Sequence, residues 1–167
     1  MKQLYQHFHS YALSVCLAHA ANRDDALEIM NDGFLKVFRN LDTQRNPDAL
    51  AGWLRTIMVN TAIDHHRKNG HLKLNTPLEQ ARHQSAREYG DEAVYAGLSA
   101  DEILKNVQGL PATQRLVFGL YVIEGYSHKE IAATLGIAES TSRAYLSDAN
   151  ARLRESLTSQ ARNADAR

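Results

Sequence analysis

The sequence predicts an all-α protein of two small helical domains joined by a flexible linker, the second containing a helix-turn-helix. Three observations carry that prediction. Apolar residues recur at the helical period over long windows in both halves of the chain, and between His71 and about Ala100 the pattern fails. Composition agrees, with three prolines, abundant Ala and Leu and few clustered β-branched residues. A length of 167 residues accommodates one mid-sized domain or two small ones. The expected boundaries are 1–70 for the first domain, 71–100 for the linker and 101–167 for the second domain.

From Leu4 to Ala20 the positions Leu4, Phe8, Tyr11, Ala12, Val15 and Cys16 follow the helical period, so a first helix with Cys16 buried is expected. A break at Ala21-Asn22 precedes Asp24, Asp25 and Glu28, acidic residues suited to a helix N-terminus, and Asn22 is the expected cap. The second helix carries Leu27, Met30, Phe34, Val37, Phe38 and Leu41 on its apolar side, with Lys36 and Arg39 towards its C-terminus. Glu28, Asn31 and Asp32 share its outer face at i, i+3 and i+4. By composition alone that patch is a solvated surface. The loop from Thr43 to Asp48, restricted by Pro47, is expected to end with Asp48 capping the next helix.

The helix from Leu50 to Asn69 places Leu50, Leu54, Ile57, Met58 and Thr61 on one side. A second stripe of Trp53, Thr56, Asn60, Asp64 and Arg67 sets hydrogen-bonding groups beside a large ring, a surface suited to something flat and polar. Arg67, Lys68 and the His65-His66 pair favour the helix dipole in the last turn and attract phosphate. Taken alone, the same features describe a core tryptophan and ordinary capping charges.

Pro77, Gly90, Gly97 and scattered charges mark the linker, with one weak helical stretch around Leu78 to Arg87. Helical pattern returns with Ile103, Leu104 and Val107. At Leu110-Pro111 the helix-turn-helix part opens, Pro111 lying in the first turn of a helix that buries Leu116, Val117, Leu120 and Tyr121 and ends at Gly125. Ser127 and Glu130 form a capping box for a short helix with Ile131, Ala132 and Leu135. Ala132 permits close helix approach, Gly136 supplies a left-handed turn, and a last helix runs from about Glu139 to Leu157.

Charge narrows the function. With 19 Lys plus Arg against 19 Asp plus Glu there is no global basic field, so any nucleic-acid binding must come from local patches or from another protein. A single cysteine excludes an intramolecular disulfide, and the start MKQLYQHFHS lacks the layout of a signal peptide. No apolar run approaches a membrane span, and a cytoplasmic location is expected. The adjacent His65-His66, the poorly spaced His7 and His9, and the lack of HExxH or CxxC argue against a metal-dependent enzyme. No catalytic residue, metal or cofactor is expected.

In the first domain ALEIMNDGFLKVFRNL precedes AGWLRTIMVNTAIDHHRKN, and in the second stands LPATQRLVFGLYVIEGYSHKEIAATLGIAESTSRAYL. Together they resemble the extracytoplasmic-function sigma factors of bacterial RNA polymerase, from about Leu4 to Leu157 with the linker excepted. The resemblance implies core RNA polymerase and promoter DNA as partners, with an anti-sigma factor as a further one. It implies that Glu28, Asn31 and Asp32 dock on the coiled-coil clamp of the polymerase. It places Trp53, Asn60 and the loop holding Asn46 and Asp48 around a flipped-out base of the −10 element, with Asp64 on the same face and Arg55, Arg67 and Lys68 on phosphates. It implies that the helix from Glu139 enters the major groove of the −35 element, with Ser140, Thr141, Arg143 and Ser147 near the duplex and Ser127 and Lys129 beside them. Two departures from the family pattern stand out. Asp148 and Asn150 replace basic residues in the last helix, and Ser142 replaces an apolar core residue, which predicts looser packing of that helix. The competing reading is a helix-turn-helix regulator that binds duplex DNA without polymerase, the first domain then serving dimerisation or ligand sensing.

Overall fold

The computed structural model describes residues 1–44, 46–70 and 99–165, apart from the side chains of Pro47 and of 161–165. The weak helix expected around Leu78 to Arg87 lies outside the described residues. The chain divides into two compact units, Met1–His71 and Leu72–Arg167. Among the described residues no helix is long and apolar enough to cross a membrane.

The first unit packs three helices against one another: α1 (Lys2–Leu17), α2 (Arg23–Asn40) and α3 (Leu50–Lys68). α1 stops three residues before the expected Ala20 because the amides of His19 and Ala20 both donate to the Cys16 carbonyl, which closes the helix. Cys16 is fully buried, and that burial pushes its thiol up to about 12, so it packs rather than reacts. Asn22 caps α2 as its sequence position suggests, its side-chain oxygen accepting from the Asp25 amide at 2.8 Å. At Gly33, α2 and α3 approach so closely that an added Cβ would run into Met58 Sδ.

Asp48 does not cap α3. Two short 3-10 turns, Leu41–Thr43 and Pro47–Ala49, fill the connection, and the second runs straight into the helix. The residue in need of a cap therefore lies earlier, and Asn46 supplies it by accepting from the Asp48 amide at 3.0 Å. The burial of α3 also differs from the stripe expected. Leu54, Met58 and Thr61 are buried, but so are Val59, Ala62, Ile63 and His66, while Leu50 and Ile57 are only half-buried. α3 packs on both α1 and α2, so its buried arc spans about half the helix rather than one stripe. His66 belongs to this arc. Its Nε2 lies 3.2 Å from the His19 carbonyl, which ties the end of α3 to the α1–α2 turn and removes His66 from any phosphate-binding surface.

The second unit holds α4 (Ala100–Gln108), α5 (Ala112–Phe118), α6 (His128–Leu135) and α7 (Glu139–Asp165). Ser99 and Glu102 form a capping box on α4 that straddles the expected boundary between linker and second domain. The same pairing of Ser127 with Glu130 starts α6, and in both boxes the serine bonds hold the glutamate below its ordinary range. α5 is shorter than expected. From Gly119 to Ile123 the backbone widens into a π turn, the Glu124 amide donating to the Gly119 carbonyl, and the positive φ of Gly125 then redirects the chain. Gly136 takes the left-handed conformation expected of it, with φ 69°, and its amide donates to the Ala132 carbonyl.

α7 is 27 residues long, well past the expected Leu157. Its Ala149 and Leu153 join Val107, Leu110 and Phe118 in a buried cluster, and Asn106 of α4 exchanges amide hydrogen bonds with Gln160 and accepts from the Ser156 hydroxyl. Looser packing at Ser142 is not what the fold shows. Ser142 is fully buried, its hydroxyl lies 3.0 Å from His128 Nδ1, and the His128 ring stacks on Tyr121 with centroids 4.5 Å apart. A hydrogen bond thus replaces the apolar contact across the helix-turn-helix. Ser142→Ala is expected to lower the stability of this unit by about 1–3 kcal/mol, because His128 loses that partner in a buried site. The check is a lower urea midpoint at unchanged slope.

Candidate nucleic-acid interface

In the first unit the candidate DNA face follows one strip of α3. At 100° per residue Trp53, Asn60, Asp64 and Arg67 fall within about 60° of one another, and Lys68 lies at their edge. Trp53 is half-buried and Asn60 exposed, so both are reachable from solvent. They stand two turns apart, about 10 Å along the axis. Thr56 between them turns its hydroxyl proton back to the Gly52 carbonyl. Asn46 and Asp48 are exposed in the preceding connection, where Asn46 Oδ1 is already engaged by the Asp48 amide. Arg55 does not join this strip. It comes two residues after Trp53, about 200° round the helix, within the buried arc, and is half-buried.

α2 contributes the neighbouring surface. Glu28 and Asn31 are exposed and Asp32 is half-buried, all three on one face as their spacing requires. A groove of about 550 Å³ runs between α2 and α3, lined on the α2 side by Asp32, Leu35, Lys36 and Arg39. On the α3 side stand Thr61, Asp64, His65, Arg67 and Lys68. Lys36 Nζ donates to Asp64 Oδ2 at 2.9 Å, and Arg67 approaches Asp64 Oδ1 at 3.5 Å. His65 Nε2 lies 3.8 Å from a Glu28 carboxylate oxygen, a second link between the helices. Lys36, Arg39 and the exposed Leu35 were missing from the sequence-derived site. The signal was present, since Asp32, Leu35, Lys36 and Arg39 follow one helical face, but the two cations also suit the C-terminal end of α2 and that explanation absorbed them.

In the second unit Ser140, Arg143 and Ser147 share the face of α7 opposite the buried Ser142, Ala149 and Leu153. Ser140 and Arg143 are exposed, and Arg143 forms an ion pair with Glu139 one turn back. Thr141 is half-buried and points about 100° away from this face. Lys129 is exposed in the first turn of α6, whereas the Ser127 hydroxyl accepts from the Glu130 amide and donates to the Glu130 carboxylate. Asp148 and Asn150 are half-buried, flanking rather than centring the exposed face.

Comparison with known proteins assigns both units. The family model for sigma-70 region 2 matches residues 4–71, and that for sigma-70 region 4 matches residues 97–153. The chain is 30% identical over 140 residues to the ECF RNA polymerase sigma factor SigE of Mycolicibacterium smegmatis, covering 83% of this chain and 54% of that protein. The chain belongs to the sigma-70 family, in its extracytoplasmic-function branch. It thus spans about half the length of that mycobacterial sigma factor. It is also 28% identical over 148 residues to the RNA polymerase sigma factor SigV of Bacillus subtilis, covering 87% of this chain and 84% of the relative. A solved structure of the sigma factor RpoE in complex with the anti-sigma factor NepR from Bartonella quintana shares the fold. Its TM-score is 0.54 at 23% identity, over 94% of this chain and 96% of that one. In sigma-70 terms α1 to α3 lie in region 2, and α4 to the first half of α7 lie in region 4. The last turns of α7, to Asp165, extend beyond the region 4 match.

Proposed function

We propose that this chain is a cytoplasmic, non-catalytic sigma factor that joins core RNA polymerase, directs it to promoters and assists opening of the start region. The observation that carries the reading is a division of labour within α2 and α3. α2 exposes Glu28 and Asn31 beside Asp32, while the adjoining α3 strip keeps Trp53 and Asn60 open to solvent. An acidic helix face suits a cationic clamp on the polymerase. An aromatic ring with an amide two turns on suits an unstacked base, which needs a ring to lie against and a partner for its polar edge. Asn46 and Asp48 border that site, and Arg67 and Lys68 hold the strand's phosphates at the end of α3. In the second unit Ser140, Arg143 and Ser147 face the −35 major groove, with Lys129 on the flanking backbone. The neutral net charge fits a subunit that relies on polymerase for most of the attraction to DNA. A regulator acting without polymerase is not favoured, because it leaves the paired region 2 helices without a role.

The test is run-off transcription with purified core polymerase across a promoter library. Specific transcripts that depend on the added chain are expected, and sequence-specific duplex binding with no transcript would transfer the chain to the regulator reading. Asp32→Lys reverses one charge of the docking face and is expected to reduce recovery of core polymerase in a pull-down about tenfold, with the thermal midpoint nearly unchanged. Wild-type recovery would remove Asp32 from the docking surface.

A further inference from the structure

The α2–α3 groove carries Lys36, Arg39, Arg67 and Lys68 against Asp32 and Asp64. Asp64 stands between two of these cations, with Lys36 on Oδ2 at 2.9 Å and Arg67 by Oδ1 at 3.5 Å. Each carboxylate oxygen already faces a positive group, which is poor preparation for reading a base edge. Building on the proposed function, we propose that Asp64 is a positioning residue that restrains binding. It holds Lys36 and Arg67 and competes for them with the phosphates of an incoming single strand, so that the wild-type complex engages them only in part.

The exchange is cheap to make. Side-chain exposures of 39% for Lys36, 46% for Asp64 and 49% for Arg67 leave these pairs in contact with water, where such bridges are weak. A phosphate offers the same cations an equivalent anionic partner, and each phosphate neutralised releases counterions from the strand. The Asp64 carboxylate meanwhile repels phosphate from the middle of the groove. Four cations less two carboxylates leave the groove at +2, and loss of the Asp64 charge raises it to +3. Lys36 brings α2 into the strand's path, so the helix that carries the docking face also touches nucleic acid.

The experiment uses the full chain and a fluorescent oligothymidylate of about 12 nucleotides, with anisotropy titrations at several salt concentrations. Asp64→Asn keeps the side chain's shape and removes its charge. It is expected to bind roughly threefold to tenfold more tightly at low salt, with a salt slope steeper by about 0.7 to 1.4, the contribution of one or two further phosphates on a single strand. Asp64→Glu should return both values towards wild type. Adding Lys36→Gln to Asp64→Asn should remove about 0.7 of the gained slope, an effect that a purely structural role for Asp64 does not produce. Weaker binding by Asp64→Asn, or a tighter complex with an unchanged slope, would overturn the proposal, the first because it makes Asp64 a direct DNA contact. Promoter-directed transcription by the wild-type chain is scored separately. Its failure removes the sigma-factor function and leaves the slope comparison standing, whereas an active wild type with no slope change removes only the role given to Asp64.

Discussion

Asn60→Ala is expected to cut open-complex formation about tenfold to hundredfold while recovery of core polymerase stays at the wild-type level. The size follows from the loss of a carboxamide partner to an extruded base, since a side chain reading a base edge is worth about 1–3 kcal/mol. The selectivity follows from geometry. Asn60 is exposed on α3, whereas Glu28 and Asn31 stand on α2, and its truncation leaves no buried polar group behind in the free protein. Permanganate footprinting of the start region, beside a pull-down of core enzyme, separates the two readouts. Unchanged footprints across promoters that differ in the −10 element would move the base-holding site off this strip.

Leu153→Ala is expected to destabilise the second unit by about 2–5 kcal/mol, most of the net stability of a domain this small. Leu153 is 1% exposed and shares a buried cluster with Val107, Leu110, Phe118 and Ala149, so truncation opens a cavity where α4, α5 and α7 meet. The chain's single tryptophan, Trp53, lies in the first unit and reports that unit alone. Denaturant titration should therefore show an early loss of helical circular dichroism with the tryptophan fluorescence transition in place. Transcription from promoters that depend on the −35 element should fall, while polymerase recovery persists. A fluorescence transition that moves together with the circular dichroism would mean that the two units unfold as one.

The helices were legible because their periods and caps are local signals. Asn22, the Ser127–Glu130 box and Gly136 each act through backbone groups within four residues, and each does what its position in the sequence announces. What depends on tertiary partners was not legible. α3 looked one-sided because Leu50 and Ile57 seemed to complete its apolar stripe, but a helix lodged between two others also buries Val59, Ala62, Ile63 and His66. Ser142 looked like a defect because its partner, His128, sits 14 residues earlier in the sequence. The site shows the same division. Trp53, Asn60, Asp64 and Arg67 share a strip that the period alone predicts, whereas the link from Asp64 to Lys36 spans 28 residues and needs the packed pair of helices to exist.

One long rod carries both the proposed reading face and the anchor of the second unit. Ser140 lies about 24 Å along α7 from Ser156, where the helix is clasped to Asn106. A rigid lever of that length magnifies small errors, since a tilt of about 5° at the clasp swings the reading tip by roughly 2 Å, enough to break a hydrogen bond to a base. On the proposed −35 contact, the amide exchange between Asn106 and Gln160 would help set the aim of side chains it never touches, from the end of the helix remote from DNA.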